Sequence, residues 1–167
     1  MTEVTKLSLS LQTSVLEALK KEAKTLNREV LDHLRIELTD RAIASGHLEK
    51  SEEEKLKLFR EVCGGVAREA LDICKRGDFT PDITLQAIKN CQSRSDSSWL
   101  SSYSKYIDGD IFGKDNPRKK FLNQSIGYSV IMAIKGKRRI GKNGKPVVVK
   151  VTGEIIKSYT RIDGFEI

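Results

Sequence analysis

The sequence has no long apolar run and is poor in the residues that build disulfides, metal sites and nucleophilic active sites. It contains 3 cysteines, 2 histidines and 3 prolines among 167 residues. No segment approaches the roughly 18 consecutive apolar residues of a transmembrane helix. Lys6, Glu17 and Lys20 interrupt the apolar residues near its start, which is unlike a signal peptide. We expect a cytoplasmic protein without a membrane partner.

The cysteines and histidines show no pattern typical of a disulfide framework, a metal site or a catalytic site. Cys63, Cys74 and Cys91 are odd in number, and the first two fall on an apolar helical stripe, which indicates buried reduced thiols. A zinc site needs about four clustered ligands, and neither His33 nor His47 stands at ligand spacing from a cysteine. There is no glycine-rich phosphate loop, nucleophile elbow or histidine-based triad. We predict no catalytic residues, no metal site and no cofactor.

What the sequence does have is positive charge concentrated in its last third. Residues 114–167 carry 13 Lys and Arg against 4 Asp and Glu, whereas residues 1–113 carry 17 against 19. A chain with this polarity most often binds a polyanion, and nucleic acid is the usual one. We therefore expect a nucleic-acid partner, with DNA favoured over RNA.

Two basic clusters are placed at predicted structural positions, one at a helix start and one around a hairpin turn. Asn116-Pro117 predicts a helix start, and the cations that follow it are unfavourable beside the positive end of the helix dipole unless a phosphate binds there. Asn143-Gly144 predicts the turn of a β-hairpin rich in Lys and Arg. The candidate nucleic-acid-binding residues of the two clusters are Arg118, Lys119, Lys120, Lys137, Arg138, Arg139, Lys142 and Lys145.

The N-terminal segment predicts one strand followed by helix. Residues 6–11 alternate polar and apolar, which is the period of a half-buried strand. Ser14 and Glu17 form a capping box that opens a helix, and an apolar stripe at spacings of three and four continues to about Ala44. Residues 13–44 are either two helices broken near Asn27 or one amphipathic helix of about 30 residues.

The rest of the chain predicts helices and then a small sheet. Ser51 and Glu54 suggest a capping box for a helix over about 52–76, and further helices are expected over 82–91, 96–107 and 116–135. We predict a mainly helical α+β fold with an N-terminal β-ribbon strand plus two helices, and C-terminal helices followed by a basic hairpin or small antiparallel sheet. The expected segments are 1–46, 47–77 and 78–167.

The order of strand, helix, turn and helix in residues 1–46 resembles the ribbon-helix-helix family of the Arc and MetJ repressors. That resemblance implies a homodimer whose paired strands lie in the DNA major groove, with Lys6, Ser8 and Ser10 at the base-reading positions. It also implies a phosphate at the start of the second helix, near Arg28. The protein would then be a dimeric DNA-binding transcriptional regulator.

The C-terminal part looks loosely like a winged-helix domain, because a basic helix start is followed by a basic hairpin. Aromatic residues around this region predict either core packing or stacking on bases; they are Tyr103, Tyr106, Phe112, Phe121 and Tyr128. Two other functions stay open. One is an interaction protein, such as a viral or plasmid inhibitor or assembly factor, whose N-terminal helices bind a protein. The other is a metal-dependent nuclease that uses Asp108, Asp110, Asp115, Glu154 and Lys157.

Overall fold

A computed structural model describes residues 8–25, 30–94, 98–113 and 116–166 of the chain. The chain divides into two compact units, Met1–Ala44 and Ser45–Ile167. We call them unit 1 and unit 2. The described residues form helices and short antiparallel strands, so the predicted α+β class is confirmed.

Unit 1 is a pair of packed helices, α1 (Thr13–Thr25) and α2 (Val30–Ala44). The Nε2 of His33 in α2 lies 3.4 Å from a carboxylate oxygen of Glu22 in α1. In one continuous helix these residues would be about 16 Å apart along the axis, at about 1.5 Å per residue. The structure therefore has two helices here and excludes the single long helix.

The predicted N-terminal β-strand is not supported. Residues 8–12 belong to neither helix nor strand, and α1 begins at Thr13. Leu9 and Leu11, expected on the buried face of that strand, are 56% and 41% exposed. A short segment of alternating polar and apolar residues forms a strand only where another strand pairs with it. An isolated strand leaves its backbone groups and its apolar face in water.

Unit 2 is built around one long helix, α3 (Lys50–Lys75), which corresponds to the expected segment 47–77. Helices α4 (Ile83–Ser93), α5 (Trp99–Ile107) and α6 (Pro117–Ala133) all pack against it. The apolar positions of α3 recur every three or four residues and so share one buried face. Those fully buried are Val62, Val66, Ala70 and Ile73.

Glycine at position 65 lets α5 approach α3 closely. A Cβ placed on Gly65 would lie 3.0 Å from Cδ1 of Trp99. The indole nitrogen of Trp99 donates a hydrogen bond of 3.0 Å to the carbonyl of Val62. This contact satisfies the buried indole and joins the two helices.

The thiols of unit 2 are part of this core. Cys63, Cys74 and Cys91 are free and buried, as the apolar stripe predicted. Burial raises the pKa of the Cys63 thiol to about 12, and a hydrogen bond with Ser129 opposes that change. Burial also raises the pKa of Cys91, to about 11.

Of the predicted helix starts in unit 2, the one at Asn116-Pro117 is confirmed. The side-chain oxygen of Asn116 accepts a hydrogen bond of 3.1 Å from the backbone N–H of Lys119. Pro117 occupies the first turn, where its missing N–H costs nothing. The capping box at Ser51 is wrong, because α3 begins at Lys50 and its N-cap is Glu49 without a side-chain cap.

The C-terminal segment folds into short antiparallel ladders. Strand β1 (Lys137–Arg138) pairs with β4 (Ile162–Gly164), and β2 (Val148–Lys150) pairs with β3 (Ser158–Thr160). Arg161 lies between β3 and β4 and links the two ladders through backbone hydrogen bonds to Arg139 and Val147. The small antiparallel sheet that we predicted is confirmed in this form.

The predicted hairpin turn lies between the ladders. Ile140 and Pro146 form an isolated antiparallel bridge, and the N–H of Gly141 donates to the carbonyl of Lys145 at 2.8 Å. Gly144 has a φ of +71°, a conformation that glycine adopts without a steric cost. The chain reversal holds Lys142 and Lys145 in solvent at the tip.

Candidate functional site

A cleft of about 930 Å³ opens in unit 2 between helix α6 and the strands β1, β2 and β3. We call it the α6 cleft. The core residues of α6 are Leu122, Ile126 and Val130, and a different face of the helix lines the cleft. The side chains that line it include Lys119, Lys120, Asn123, Gln124, Tyr128, Arg138, Val148, Lys157, Ser158 and Thr160.

Lys119 has a structural role at the edge of this cleft. It is buried, and its ammonium donates to the carbonyls of Ile111 and Gly113, the latter at 3.2 Å. Burial lowers the pKa of the Lys119 amine, and the positive charge of Lys157 adds to that effect. Lys119 therefore ties the loop before α6 to the first turn of the helix and is not a mobile surface cation.

The other two cations of this helix start differ from Lys119. The guanidinium of Arg118 lies 3.6 Å from the carboxylate of Asp108, at the limit of an ion pair. Lys120 is exposed, lines the α6 cleft and has no acidic partner among the residues described by the structure. The three consecutive cations thus point to three different surroundings.

The three consecutive cations at and after β1, residues 137–139, also have different surroundings. Lys137 forms an ion pair of 2.7 Å with Glu166, and Arg139 lies 3.6 Å from the carboxylate of Asp163. Arg138, between them, lines the α6 cleft instead. One cation of this run is therefore available to the cleft, and two are held by carboxylates.

Lys157 brings a third exposed cation to the cleft, just before β3. No carboxylate stands among the described residues that line it. Lys120, Arg138 and Lys157 therefore create a positive potential that nothing described in the cleft wall neutralises. Such a site attracts phosphate groups.

The amide of Asn123 has a fixed orientation in this wall. Its Oδ1 accepts a hydrogen bond of 2.7 Å from the hydroxyl of Tyr103. Burial raises the pKa of Tyr103, so that hydroxyl stays protonated and remains a donor. Because Oδ1 is occupied, the Nδ2 amino group is the part of Asn123 that can donate to a molecule in the cleft.

The predicted aromatic set is divided between core and surface. Tyr103 is fully buried, and Tyr106 and Phe121 pack on Phe59 with ring centroids 5.5 and 5.7 Å away. Phe112 is exposed. Tyr128 is 40% exposed and lines the α6 cleft, which makes it the aromatic residue best placed to contact a bound molecule.

Of the predicted site residues of unit 1, only Ser8 and Ser10 lie in the described part of the chain. Ser8 and Ser10 are exposed and lie before α1. Lys6 and Arg28 lie outside the described residues. Lys142 and Lys145 are exposed at the hairpin tip in unit 2.

The residues expected of a nuclease have separate surroundings. Glu154 pairs with Lys89 at 2.7 Å, Asp108 faces Arg118, and an oxygen of Asp110 accepts a 2.9 Å bond from the N–H of Phe112. Asp115 lies outside the described residues. Within the described ranges, no three His, Cys, Asp or Glu side chains form a group that could hold a metal ion.

Among the helices of the described residues, none is both long enough and apolar enough to cross a membrane.

Sequence reasoning missed several parts of this site. Asn123, Gln124 and Gly127 were not among the candidates, because none carries a motif, and Lys157 was considered only as part of a nuclease. A signal for the α6 residues was nevertheless present. They recur at helical spacing on a polar face beside the basic start of the helix, a pattern typical of a binding surface.

Comparison with known proteins finds no family model that matches the chain, no similar curated protein and no similar solved structure.

Proposed function

We propose that the protein binds nucleic acid, with DNA as the favoured form, through the exposed cations of unit 2. Lys120, Arg138 and Lys157 in the α6 cleft and Lys142 and Lys145 at the hairpin tip are the phosphate contacts. Phosphate contacts set affinity and orientation and carry little sequence information by themselves.

One observation carries this proposal: the cations of the α6 cleft and of the hairpin tip are grouped without carboxylate partners among the described residues, while cations close to them are paired. Lys137, Arg139 and Lys89 are each matched to a carboxylate on the surface. The cations of the cleft and of the hairpin tip have no such partner in the described part of the chain. Surface charges placed only for solubility are expected to be interspersed with the opposite sign, and these are not.

The salt dependence of DNA binding tests the proposal. Each phosphate contact contributes about 0.9 to the slope of the logarithm of the binding constant against that of the salt concentration. The double variant Lys142→Met, Lys145→Met should lower this slope by up to about two and weaken binding to all sequences alike.

Lys137→Met, Arg139→Met is the matched control, because it removes the same charge from the same β segment. Those two cations are already paired, so the slope should stay as in the parent protein. Equal slopes for the parent and both double variants, or no DNA binding at low salt, would show that the charge does not serve nucleic-acid binding.

Unit 1 supplies dimerisation in this proposal, as the resemblance to ribbon-helix-helix proteins implies. The packed helices α1 and α2 fit the helical part of that family's pattern, while the strand would form only by pairing with a second chain. Such a dimer would act as a transcriptional regulator, with Lys6, Ser8 and Ser10 as base readers. Replacing Ser8 and Ser10 by Ala should then change site preference more than overall affinity, as measured by binding-site selection.

A second candidate function is that of an interaction protein, which a specific observation favours. Unit 1 exposes Leu9, Leu31 and Leu38. Apolar residues left open on a small helix pair are typical of a surface that another protein covers. A cytoplasmic location suits both candidates and stays a prediction.

A further inference from the structure

We propose that the α6 cleft takes one unpaired nucleotide of a DNA strand, with its base lying over Gly127 and its phosphates on Lys120, Arg138 and Lys157. This inference rests on the proposed function and deepens it, since it assigns the cleft to unpaired bases and not to the outside of a duplex.

The size and shape of the cleft favour a nucleotide. Its volume of about 930 Å³ is at the upper end of the range of pockets that hold small molecules, roughly 300–1,000 Å³. A duplex cannot enter a space of this size, whereas a nucleotide that has left the base stack can.

Gly127 provides the floor on which a base would lie. It stands inside α6, where glycine is less favourable than alanine by roughly 0.5–1 kcal/mol. A Cβ at this position would meet no protein atom within 4 Å, so packing within the protein does not require glycine. What the missing side chain does is let a flat group approach the helix backbone from the cleft.

The groups around Gly127 suit the two faces and the edge of a base. The ring of Tyr128 and the exposed side chain of Val148 supply apolar contact, and stacking on an aromatic ring stabilises an unpaired base. The Nδ2 group of Asn123, fixed by Tyr103, donates toward the acceptor atoms of a base edge. Gln124, Ser158 and Thr160 add polar groups along the same wall.

The test is fluorescence anisotropy of labelled DNA with the full chain and two variants. The probes are a 20-nucleotide single strand of mixed sequence, the matching duplex, and that duplex with one bulged nucleotide. The parent should bind the single strand and the bulged duplex at least about tenfold more tightly than the perfect duplex, because only these offer an unstacked base at low cost.

Two substitutions address the cleft without removing a cation. Gly127→Leu fills the space over the helix and should weaken binding of the single strand at least about tenfold. Its unfolding midpoint should not fall, because leucine favours helix over glycine. Asn123→Asp keeps the acceptor for Tyr103 but replaces the donor by a carboxylate, and should have a similar effect on binding.

The controls are Gly64→Ala inside α3, where a Cβ meets only the end of Arg68 at 3.5 Å, and Gln92→Glu on α4, which adds a negative charge outside the cleft. Both should bind all three probes as the parent does. Trp99 fluorescence in urea verifies that every variant is folded.

The outcomes separate this inference from the proposed function. If the parent binds all probes with a steep salt dependence but equally well, and Gly127→Leu and Asn123→Asp bind like the parent, the inference is wrong while the proposed function holds. If no probe binds at low salt, the proposed function itself is wrong. Displacement of the single strand by micromolar thymidine monophosphate would assign the cleft to a free nucleotide and also overturn the inference.

Discussion

The two units are both built on helices but bury their apolar side chains to very different extents. Unit 2 encloses a contiguous apolar cluster to which α3, α4, α5, α6 and the strands contribute. In the described part of unit 1, only Ala23 and His33 are buried. Unit 2 therefore has a core large enough to fold alone, whereas the described part of unit 1 leaves most of its side chains exposed or half-buried.

The largest expected change in the free energy of unfolding comes from a substitution that creates a cavity in the core of unit 2. Ile126→Ala removes a fully buried side chain of α6 and should lower the free energy of unfolding by about 2–5 kcal/mol. Leu31→Ala in unit 1, where the side chain is 64% exposed, should change it by less than about 0.5 kcal/mol. Trp99, the single tryptophan, reports on unit 2 in urea titrations. Equal losses for the two variants would remove the distinction between the units.

A smaller effect is expected within the basic run at the start of α6. Lys119→Met leaves the partly buried carbonyls of Ile111 and Gly113 without their donor and should cost about 1–3 kcal/mol. Lys120→Met, one residue on, should change stability by less than about 0.5 kcal/mol, because that side chain is exposed. The same urea titrations measure both. If Lys119→Met is neutral, the loop before α6 does not depend on this lysine.

The cysteines, all of which lie in unit 2, predict a dependence of stability on alkaline pH. The folded pKa of Cys63 is raised to about 12 from an ordinary value of 9.0. Above pH 9 the unfolded chain therefore loses this proton while the folded chain keeps it. The free energy of unfolding falls as pH rises from 9 toward 12, by about 1.4 kcal/mol per pH unit for one such thiol.

Trp99-monitored unfolding between pH 8 and 10.5 checks this slope. In Cys63→Ala the decline with pH should be shallower than in the parent, even though the variant starts less stable. A parallel decline in the two proteins would mean that Cys63 ionises as readily in the folded state as in the unfolded one.

Local signals in the sequence predicted the parts of the fold that depend on neighbouring residues. Asn116 and Pro117 fix the start of α6, and Asn143 with Gly144 fixes the hairpin tip, because a cap or a tight turn is decided within about four residues. The strand expected at residues 6–11 is not supported in its described part, residues 8–11, for the opposite reason, since a strand needs a partner from elsewhere.

The proposed binding surface could be predicted only in outline. The sequence located its charge, but which cations are available depends on carboxylates that the fold brings to them. Glu166 and Asp163 reach Lys137 and Arg139 from the end of the chain. The α6 cleft itself exists only once β3 lies beside α6, which places Lys157 close to the helix start.

The smallest expected change in the stability of unit 2 comes from substitutions in unit 1, on the exposed leucines of α2. If a second copy covers the exposed leucines of α2, the parent should sediment as a dimer of twice 18.8 kDa at micromolar concentration. The double variant Leu31→Lys, Leu38→Lys places charges on that surface and should sediment as a monomer, since burying an unpaired ammonium is costly. The free energy of unfolding reported by Trp99 should change by less than about 0.5 kcal/mol.

Lys20→Ala, on an exposed site of α1, is the control and should leave the dimer intact. A parent protein that sediments as a folded monomer would overturn the dimer, and the interaction-protein function would then be favoured.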